Sequence, residues 1–208
     1  NAFKYYASIM GKALNPALKG QPSAIFCDSW EVETKYITTD GFIDKFEKVY
    51  GYDLSKYNDS LYSDTKKHIF YDYMKLVSDY VINNFYAEFT KYAHENNSFS
   101  RFQAAGSPTD IITAYSYADV PETEAMLYEP NYANIVASAA LLSGKKEISS
   151  ETFTCLYGFP DVHFGEEQTA DLKLVADALF ANGVNQIVWH GMPYNPVGSD
   201  SIKFNFAN

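Results

Sequence analysis

The sequence has no excess of positive charge, no long apolar run and few cysteines. Its 16 Lys and Arg residues are outnumbered by 26 Asp and Glu residues, which gives a net charge of −10. A chain of this charge repels phosphate backbones, so we expect no nucleic acid partner. No run of about 18 or more apolar residues is present that could span a membrane.

The two cysteines, Cys27 and Cys155, do not make a disulfide framework and leave the compartment open. The first residue is Asn1, and no charged segment followed by an apolar one marks a signal peptide. The strand count given below predicts that the chain starts within a longer protein.

Aromatic residues are abundant, at 17% of the chain, and 18 of them are Tyr. Such enrichment suits a sugar-binding surface, because an aromatic ring can lie against the C–H face of a pyranose. The simpler explanation is that Tyr packs in the core with its hydroxyl near water. The length of 208 residues and the hydrophobic fraction of 47% are enough for a sizeable core in one domain or two.

Helical and strand patterns alternate along the chain. Helices are predicted over 2–14, 40–50, 63–96 (with a break near Asn83 and Asn84), 111–117, 131–143 and 166–182. Short apolar strands are predicted over 23–28, 99–104, 118–120, 146–149 and 185–190. This alternation predicts a parallel sheet covered by helices. Five strands can build an open doubly wound sheet, but an eight-stranded barrel typically needs ~250 residues.

Polar residues cluster where the predicted strands end. They are Asp28, Trp30 and Glu31 after the first strand, Arg101 and Gln103 on the second, Glu122 and Glu124 after the third, Glu151 after the fourth, and His190 at the end of the fifth with Tyr194 beyond it. The carboxyl ends of parallel strands meet at one rim, where α/β enzymes bind their ligands. Strand ends also meet loops, which are polar anyway. Acids at three of the five ends favour a site over that explanation.

Two of these acids, Glu31 and Glu151, suit the cleavage of a glycosidic bond. That reaction uses one protonated carboxyl group and one ionised carboxyl group. Since Glu has a pKa of about 4.3 in water, the acid needs burial or a neighbouring charge to keep its proton. Trp30 lies beside Glu31 and Phe153 lies near Glu151, so both carboxyl groups can be desolvated. Glu33 is the rival of Glu31, but it is more typical of a solvated loop charge.

Glu122 and Glu124 are two residues apart, so they face the same way in an extended segment. Two such carboxylates either bind a hard cation such as calcium or repel each other. Alternatively, one of them caps the helix that follows. The residues alone leave these explanations open.

Several runs together resemble glycoside hydrolase family 106, the α-L-rhamnosidases. They are Cys27-Asp28-Ser29-Trp30-Glu31-Val32, Gly51-Tyr52-Asp53-Leu54, Arg101-Phe102-Gln103-Ala104, Asp119-Val120-Pro121-Glu122-Thr123-Glu124, Ser150-Glu151-Thr152-Phe153-Thr154 and His190-Gly191-Met192-Pro193-Tyr194. Their order and spacing cover the chain from about residue 20 to 197, which makes the resemblance more specific than any one motif.

The resemblance implies that residues 1–208 are a single domain or domain fragment, namely the C-terminal part, about five βα units, of a TIM-type (β/α)8 barrel. It implies inverting hydrolysis with Glu31 as general acid and Glu151 as general base, and a calcium ion held by Glu122 and Glu124. It further implies a secreted or periplasmic enzyme whose missing N-terminal barrel half comes from the same full-length chain. The substrate would be an oligo- or polysaccharide. The residues expected to bind it are Asp28, Trp30, Arg101, Gln103, His190 and Tyr194.

Three alternatives stay open. A non-catalytic carbohydrate-binding relative would keep the aromatic rim without a working acid pair. A retaining glycosidase of different sugar specificity would also carry acids at strand ends. An independent five-stranded flavodoxin-like domain is the third alternative, although no phosphate-binding loop follows the first strand.

Overall fold

The computed structural model describes residues 2–34, 36–125, 130–154, 156–157 and 166–191. The α-helices of this part are α1 (Ala2–Leu18), α2 (Phe42–Tyr50), α3 (Lys67–Val81), α4 (Ala87–Glu95), α5 (Ile111–Ser116), α6 (Ala133–Leu142) and α7 (Thr169–Ala181). The strands are β1 (Ala24–Cys27), β2 (Phe99–Phe102), β3 (Val120–Ala125), β4 (Ser149–Thr152) and β5 (Gln186–Trp189). The predicted α/β class is confirmed. None of the described helices is both long and apolar enough to cross a membrane.

The five strands form one parallel sheet whose spatial order is β1-β2-β3-β4-β5, the same as their order in the chain. A doubly wound sheet reverses its direction at a switch point, as in the flavodoxin-like order 2-1-3-4-5. The flavodoxin-like alternative is therefore wrong. Right-handed crossovers that always step the same way place their helices on one face of the sheet. The sheet is accordingly curled into a half barrel, with helices outside.

The long helix predicted over 63–96 is divided, and its predicted break is confirmed. The Ser63 hydroxyl accepts a hydrogen bond from the backbone N–H of Thr65 and begins the segment with a short 3₁₀ turn. A π-helical turn, Ile82–Tyr86, then separates α3 from α4. The side chain of Asn83 donates to the Asp79 carbonyl at 2.7 Å, which favours a wider turn. A π-turn inserts a residue, so it re-aims the apolar stripe of the helix that follows.

The core lies between the outer face of the sheet and the helices. At its centre Phe102 of β2 stacks on Tyr86 of the π-helical turn, with ring centroids 4.7 Å apart, and on Tyr115 of α5 at 6.4 Å. All three rings are fully buried. Burying a side chain of this kind contributes about 1.5–3 kcal/mol. The aromatic residues in this region therefore serve the core rather than a sugar surface.

Two strand predictions are wrong in their bounds. The third strand extends to Ala125, so Glu122 and Glu124 lie within it rather than after it. The fourth begins at Ser149 and contains Glu151. A charged residue is usually solvated, so the sequence analysis placed these glutamates in loops. In the structure they lie within strands, and their side chains point to the inner face of the sheet.

Candidate active site

The two faces of the sheet differ in character. Alternate residues of a strand point to opposite faces, and on the outer face Ile25, Phe102 and Ile187 pack in the hydrophobic core. The strand registers place another set on the inner face, namely Phe26, Arg101, Glu122, Glu124, Ser149, Glu151 and Val188. The inner face thus carries several acids and one arginine, whereas most of the hydrophobic core packs against the outer face.

Glu122 is fully buried, and both of its carboxylate oxygens have partners. Oε1 accepts a hydrogen bond from Gln103 Nε2 at 3.2 Å, and Oε2 accepts one from Ser149 Oγ at 2.6 Å. The Nε of Arg101 lies 3.0 Å from Oε2 as an ion pair without hydrogen-bond alignment, and the guanidinium lies 4.4 Å from the ring centroid of Phe26. A buried carboxylate needs a positively charged partner and hydrogen-bond donors. These contacts supply both and hold the Glu122 carboxylate in a fixed position.

Glu151 is 8% exposed and lies beside Glu122 in this network. Its Oε2 accepts a hydrogen bond from Gln103 Nε2 at 2.7 Å, and its Oε1 lies 3.4 Å from His190 Nε2. Burial raises the pKa of Glu151, and the charges of Asp28 and Glu122 add to this, while Gln103 and His190 oppose it. The net effect is a raised pKa, which is the condition expected of a carboxyl group that exchanges a proton near neutral pH.

Glu124 is half-buried and makes no hydrogen bond or ion pair with any described residue. Its pKa is raised to about 7, first by burial and then by the charges of Glu151, Asp28, Glu31 and Glu122. Coulomb effects of this kind decline with distance, so the negative charge of these four carboxylates reaches Glu124, with Glu151 opposite it in the strand register. Sequence reasoning placed this acid in the site but gave no sign of its perturbed proton affinity.

Glu31 lies on the loop that follows β1, and Trp30 fixes this loop. The backbone N–H of Trp30 donates to the Ala105 carbonyl at 3.0 Å. Its indole packs edge-on against Phe85 of the π-helical turn, with centroids 5.8 Å apart. Trp30 is therefore a support of the loop, while Glu31 itself is exposed.

A strained residue directly follows β4. Phe153 has a φ of 78°, a left-handed conformation that is uncommon for a residue with a bulky side chain. Strand alternation would turn its ring to the inner face, next to Glu151. Instead the ring is buried in the outer core, with its centroid 4.6 Å from that of Trp189. The strain thus keeps a large apolar ring away from the acids.

A second polar cluster lies at the opposite end of the strands. Asp119 Oδ2 accepts hydrogen bonds from the backbone N–H and the hydroxyl of Ser100, at 2.8 and 3.2 Å, and lies 2.7 Å from His94 Nε2. The aspartate stands between the serine and the histidine, so the histidine cannot act as base toward the serine as in a Ser–His–Asp triad. This cluster joins α4 to β2 and β3.

The structure gathers most of the residues that the sequence predicted for the site. They are Asp28, Glu31, Arg101, Gln103, Glu122, Glu124, Glu151 and His190. The indole of Trp30 packs against Phe85 instead. Tyr194 lies outside the described residues. Arg101 and Gln103 both contact acids, and Gln103 is fully buried, which differs from the open position expected of a substrate ligand.

Sequence reasoning missed Ser149. It named Phe153 as an apolar neighbour of the Glu151 carboxyl group, but the Phe153 ring lies in the hydrophobic core against Trp189 instead. Ser149 precedes Glu151 by two residues, so strand alternation would have found it had β4 been placed correctly. No sequence pattern indicates the backbone conformation of Phe153, because positive φ is predicted from Gly or Asn and not from a bulky aromatic residue.

The predicted calcium pair fits only in part. Both oxygens of Glu122 already have protein partners, namely Gln103 on Oε1 and Ser149 and Arg101 on Oε2. The carboxylate of Glu124 has no such partners and fits a hard cation. Among the described residues, no group of three or more His, Cys, Asp or Glu is placed to hold a metal ion.

Comparison with known proteins places the chain in a class of carbohydrate-cleaving enzymes. Residues 2–205 match the family model of glycoside hydrolase family 106, described as alpha-L-rhamnosidase. The chain belongs to this glycoside hydrolase family, as its resemblance implied.

Two further proteins are similar to parts of the chain. A protein of Formosa agariphila that carries the provisional name beta-glucuronidase is 26% identical over 180 residues, which are 81% of this chain and 15% of that protein. A solved rhamnosidase from Novosphingobium sp. PP1Y superposes with a TM-score of 0.68 and 23% identity, over 91% of this chain and 19% of the other. The chain thus spans less than a fifth of either relative, and the solved structure supports the fold alone.

Proposed function

We propose that the full-length protein containing this chain is a glycoside hydrolase that cleaves α-L-rhamnosidic bonds in polysaccharides by acid–base catalysis. The observation that carries the proposal is the set of carboxyl groups on the inner sheet face of a family 106 chain, among which Glu151 and Glu124 have raised pKa values. Carboxyl groups in two different environments are what glycoside hydrolysis uses.

In this proposal Glu151 is the general base. A base works best when its pKa approaches the working pH, and burial shifts the pKa of Glu151 in that direction. Gln103 orients the carboxylate of Glu151, and His190 lies near it. The carboxylate is therefore positioned to activate a water molecule for attack on the sugar. The water loses its proton to Glu151 as its oxygen bonds to the anomeric carbon.

Glu31 is the general acid of the proposal. It protonates the leaving glycosidic oxygen as the bond to the anomeric carbon breaks. Its carboxyl group lies on the exposed loop after β1, where it is open to a bound sugar. Glu124 is the rival for this role, because its pKa is raised to about 7.

The inner face favours a neutral sugar over a uronic acid. The acids Asp28, Glu31, Glu124 and Glu151 lie near one another there, whereas Arg101 is committed to the buried Glu122. The carboxylate of a glucuronide would meet like charges at close range, and such contacts are unfavourable. A deoxy sugar without charge meets no such penalty, which supports a rhamnoside.

The sheet order supports a TIM-type barrel whose remaining strands come from the same full-length chain. A half barrel leaves strand edges open, and a closed barrel removes them. Membership of this glycosidase family favours an enzyme outside the cytoplasm, so the proposal places the protein in the periplasm or outside the cell. Calcium would supply charge at the sugar hydroxyls, with Glu124 as one ligand.

The test is hydrolysis of an aryl α-L-rhamnoside by the full-length protein. Glu31→Gln and Glu151→Gln should each lower kcat by at least about 10²-fold, the usual contribution of a positioned acid or base. Glu33→Gln, a nearby exposed acid on the same loop, is the matched control and should stay active. Hydrolysis that is unchanged in both site variants would overturn the assignment.

Two further measurements decide between the alternatives. Product stereochemistry, followed by NMR during turnover, should show inversion, whereas retention would indicate a covalent intermediate. Saturable binding of a rhamnoside without turnover would support the non-catalytic, carbohydrate-binding relative instead.

A further inference from the structure

Gln103 follows β2 and is held among the acids of the inner face. Its backbone N–H donates to the Cys27 carbonyl at 3.0 Å, which continues the pairing of β1 with β2 beyond the strand end. The side chain is fully buried. Its Nε2 lies 2.7 Å from Glu151 Oε2 and 3.2 Å from Glu122 Oε1. One amide group thus links two carboxylates.

The hydrogen-bonding capacity of the amide leaves it one stable orientation. An amide nitrogen carries two N–H donors, and here both serve the two carboxylates. Turning the amide round would place its oxygen against two acceptors. The Oε1 of Gln103 is buried and accepts no hydrogen bond from the described residues, so the two N–H bonds set the orientation of the group.

The far end of this link is rigid. Glu122 is fixed by Ser149 and Arg101 in addition to Gln103. At the near end, Glu151 accepts a hydrogen bond of 2.7 Å from Gln103 and has a longer contact of 3.4 Å with His190. Movement of the Gln103 amide would therefore disturb Glu151 more than it disturbs Glu122.

We propose that Gln103 is a positioning residue for Glu151 and not a ligand of the sugar. It transfers the fixed geometry of the Arg101–Glu122 pair to the Glu151 carboxylate, and its N–H group stabilises the charge of that carboxylate away from bulk water. This inference rests on the proposed function, in which Glu151 is the general base. It also revises the substrate-binding role that the sequence suggested for Gln103.

The test is the Gln103→Met variant in the full-length protein, which keeps the length of the side chain and removes both N–H donors. We expect kcat to fall by about tenfold or more, a part of the 10²–10⁴ that a positioned base contributes, while KM changes less than twofold. The acidic limb of the pH profile of kcat/KM should move to higher pH, because the ionised base has lost a donor. A change in folding alone would leave that limb in place.

Gln186→Met is the matched control, since Gln186 lies in register with Ser149 at the start of β5 and is exposed, whereas Gln103 is fully buried. It should leave both kcat and the pH profile unchanged. The double variant Gln103→Met/Glu151→Gln should be no slower than Glu151→Gln alone, because a residue that acts through Glu151 has no effect once the base is gone.

Each outcome decides the matter. A raised KM at unchanged kcat would show that Gln103 binds the sugar, and wild-type kinetics would show that it has no role; both overturn the inference. Full activity of Glu151→Gln would overturn the proposed function and this inference with it. Should Gln103→Met fail to fold, Gln103→Glu has the same shape, and an unchanged pH profile of that variant would overturn the inference equally.

Discussion

Glu124 and Glu151 lie opposite each other in the parallel ladder of β3 and β4, as a register pair on the inner face of the sheet. Glu151 is held by Gln103, whereas Glu124 has no hydrogen-bond partner among the described residues. Burial and the charge of Glu151 raise the pKa of Glu124 to about 7. The less supported carboxyl of the pair therefore carries a proton in mildly acidic solution.

This pair predicts how stability depends on pH. The folded-state pKa of Glu124 lies near 7 and its usual value is 4.5, so its ionisation opposes folding progressively as pH rises from about 4.5 to 7. Glu124→Gln removes that ionisation. Solvent screening at this half-buried site reduces the effect, so the variant should become more stable relative to the wild type by about 1 kcal/mol across this range. Urea unfolding measured from pH 4.5 to 8 provides the comparison.

The exposed Glu147 supplies the control for this measurement. Glu147→Gln should track the wild type at every pH. If the gap between Glu124→Gln and the wild type is the same at pH 4.5 and at pH 8, then the ionisation of Glu124 is not what changes the stability.

The close approach of Gly106 to Trp30 predicts that a side chain at position 106 would displace the loop that carries Glu31. Its φ is 73°, and a Cβ there would lie 2.8 Å from the carbonyl oxygen of Trp30. Gly144 has a φ of 70° and open space around it. Alanine at either position is strained by about 1–2 kcal/mol, but only Gly106→Ala adds a clash. We expect Gly106→Ala to have the lower Tm of the two and to lower kcat.

Rhamnosidase assays and thermal unfolding of the two glycine variants provide the test. Gly144→Ala carries the same backbone strain but makes no clash with the Glu31 loop, so its activity should stay at the wild-type level. Equal Tm values for the two variants would contradict the close approach of Gly106 to Trp30.

The strain at Phe153 predicts a reversed order of alanine and glycine. Glycine is usually less stable than alanine in regular structure by roughly 0.5–1 kcal/mol. At the φ of 78° found here, Phe153→Gly should instead be more stable than Phe153→Ala, since glycine adopts positive φ freely. Both variants should be less stable than the wild type because each loses the buried contact with Trp189.

Denaturant midpoints of these variants give the order directly. Phe102, which is buried within β2, is the comparison position. There the alanine variant should be the more stable. The same order at both positions would mean that Phe153 carries no backbone strain in solution.

Asp119 predicts a second pH effect, of opposite sign to that of Glu124. Burial acts to raise its pKa, but the Ser100 backbone N–H and His94 outweigh it and the pKa is lowered. A lowered pKa stabilises the fold above the unfolded value and loses this effect as pH falls through the folded value. Asp119→Asn should therefore reduce the free energy of unfolding by about 1–3 kcal/mol at neutral pH.

The deficit of Asp119→Asn should shrink as pH falls below about 4, where the wild-type carboxylate takes up its proton. Asp64→Asn is the control, as the side chain of Asp64 is 96% exposed. A deficit that persists undiminished at pH 3 would show that the carboxylate charge is not what holds β2 and β3 at this end.

Much of the fold could be predicted from the sequence because its signals are local. Apolar periodicity identified the helices, and Asn83 and Asn84 marked the break that became a π-helical turn. The alternation of elements indicated a parallel sheet. The bounds of β3 and β4 were harder, because Glu122 and Glu151 suggest solvated loops to any local rule.

The composition of the site was also available from the sequence, since acids at several strand ends must meet at one rim of a parallel sheet. The prediction that Glu31, Glu124 and Glu151 lie at one rim followed from residue type and order alone. Their differences did not. Burial and neighbouring charge decide which carboxyl group has a raised pKa, and neither quantity is local in sequence.

Only the tertiary structure decided that Gln103 serves the acids. Its two carboxylate partners lie 19 and 48 residues further along the chain, and hydrogen bonds over such separations depend on strand register. The same holds for Phe153, whose ring is turned from the acids by one backbone angle. The sequence by itself determined an acidic rim on a parallel α/β sheet. Packing and strand register determined which of these residues are hydrogen-bonded to each other and which have a raised pKa.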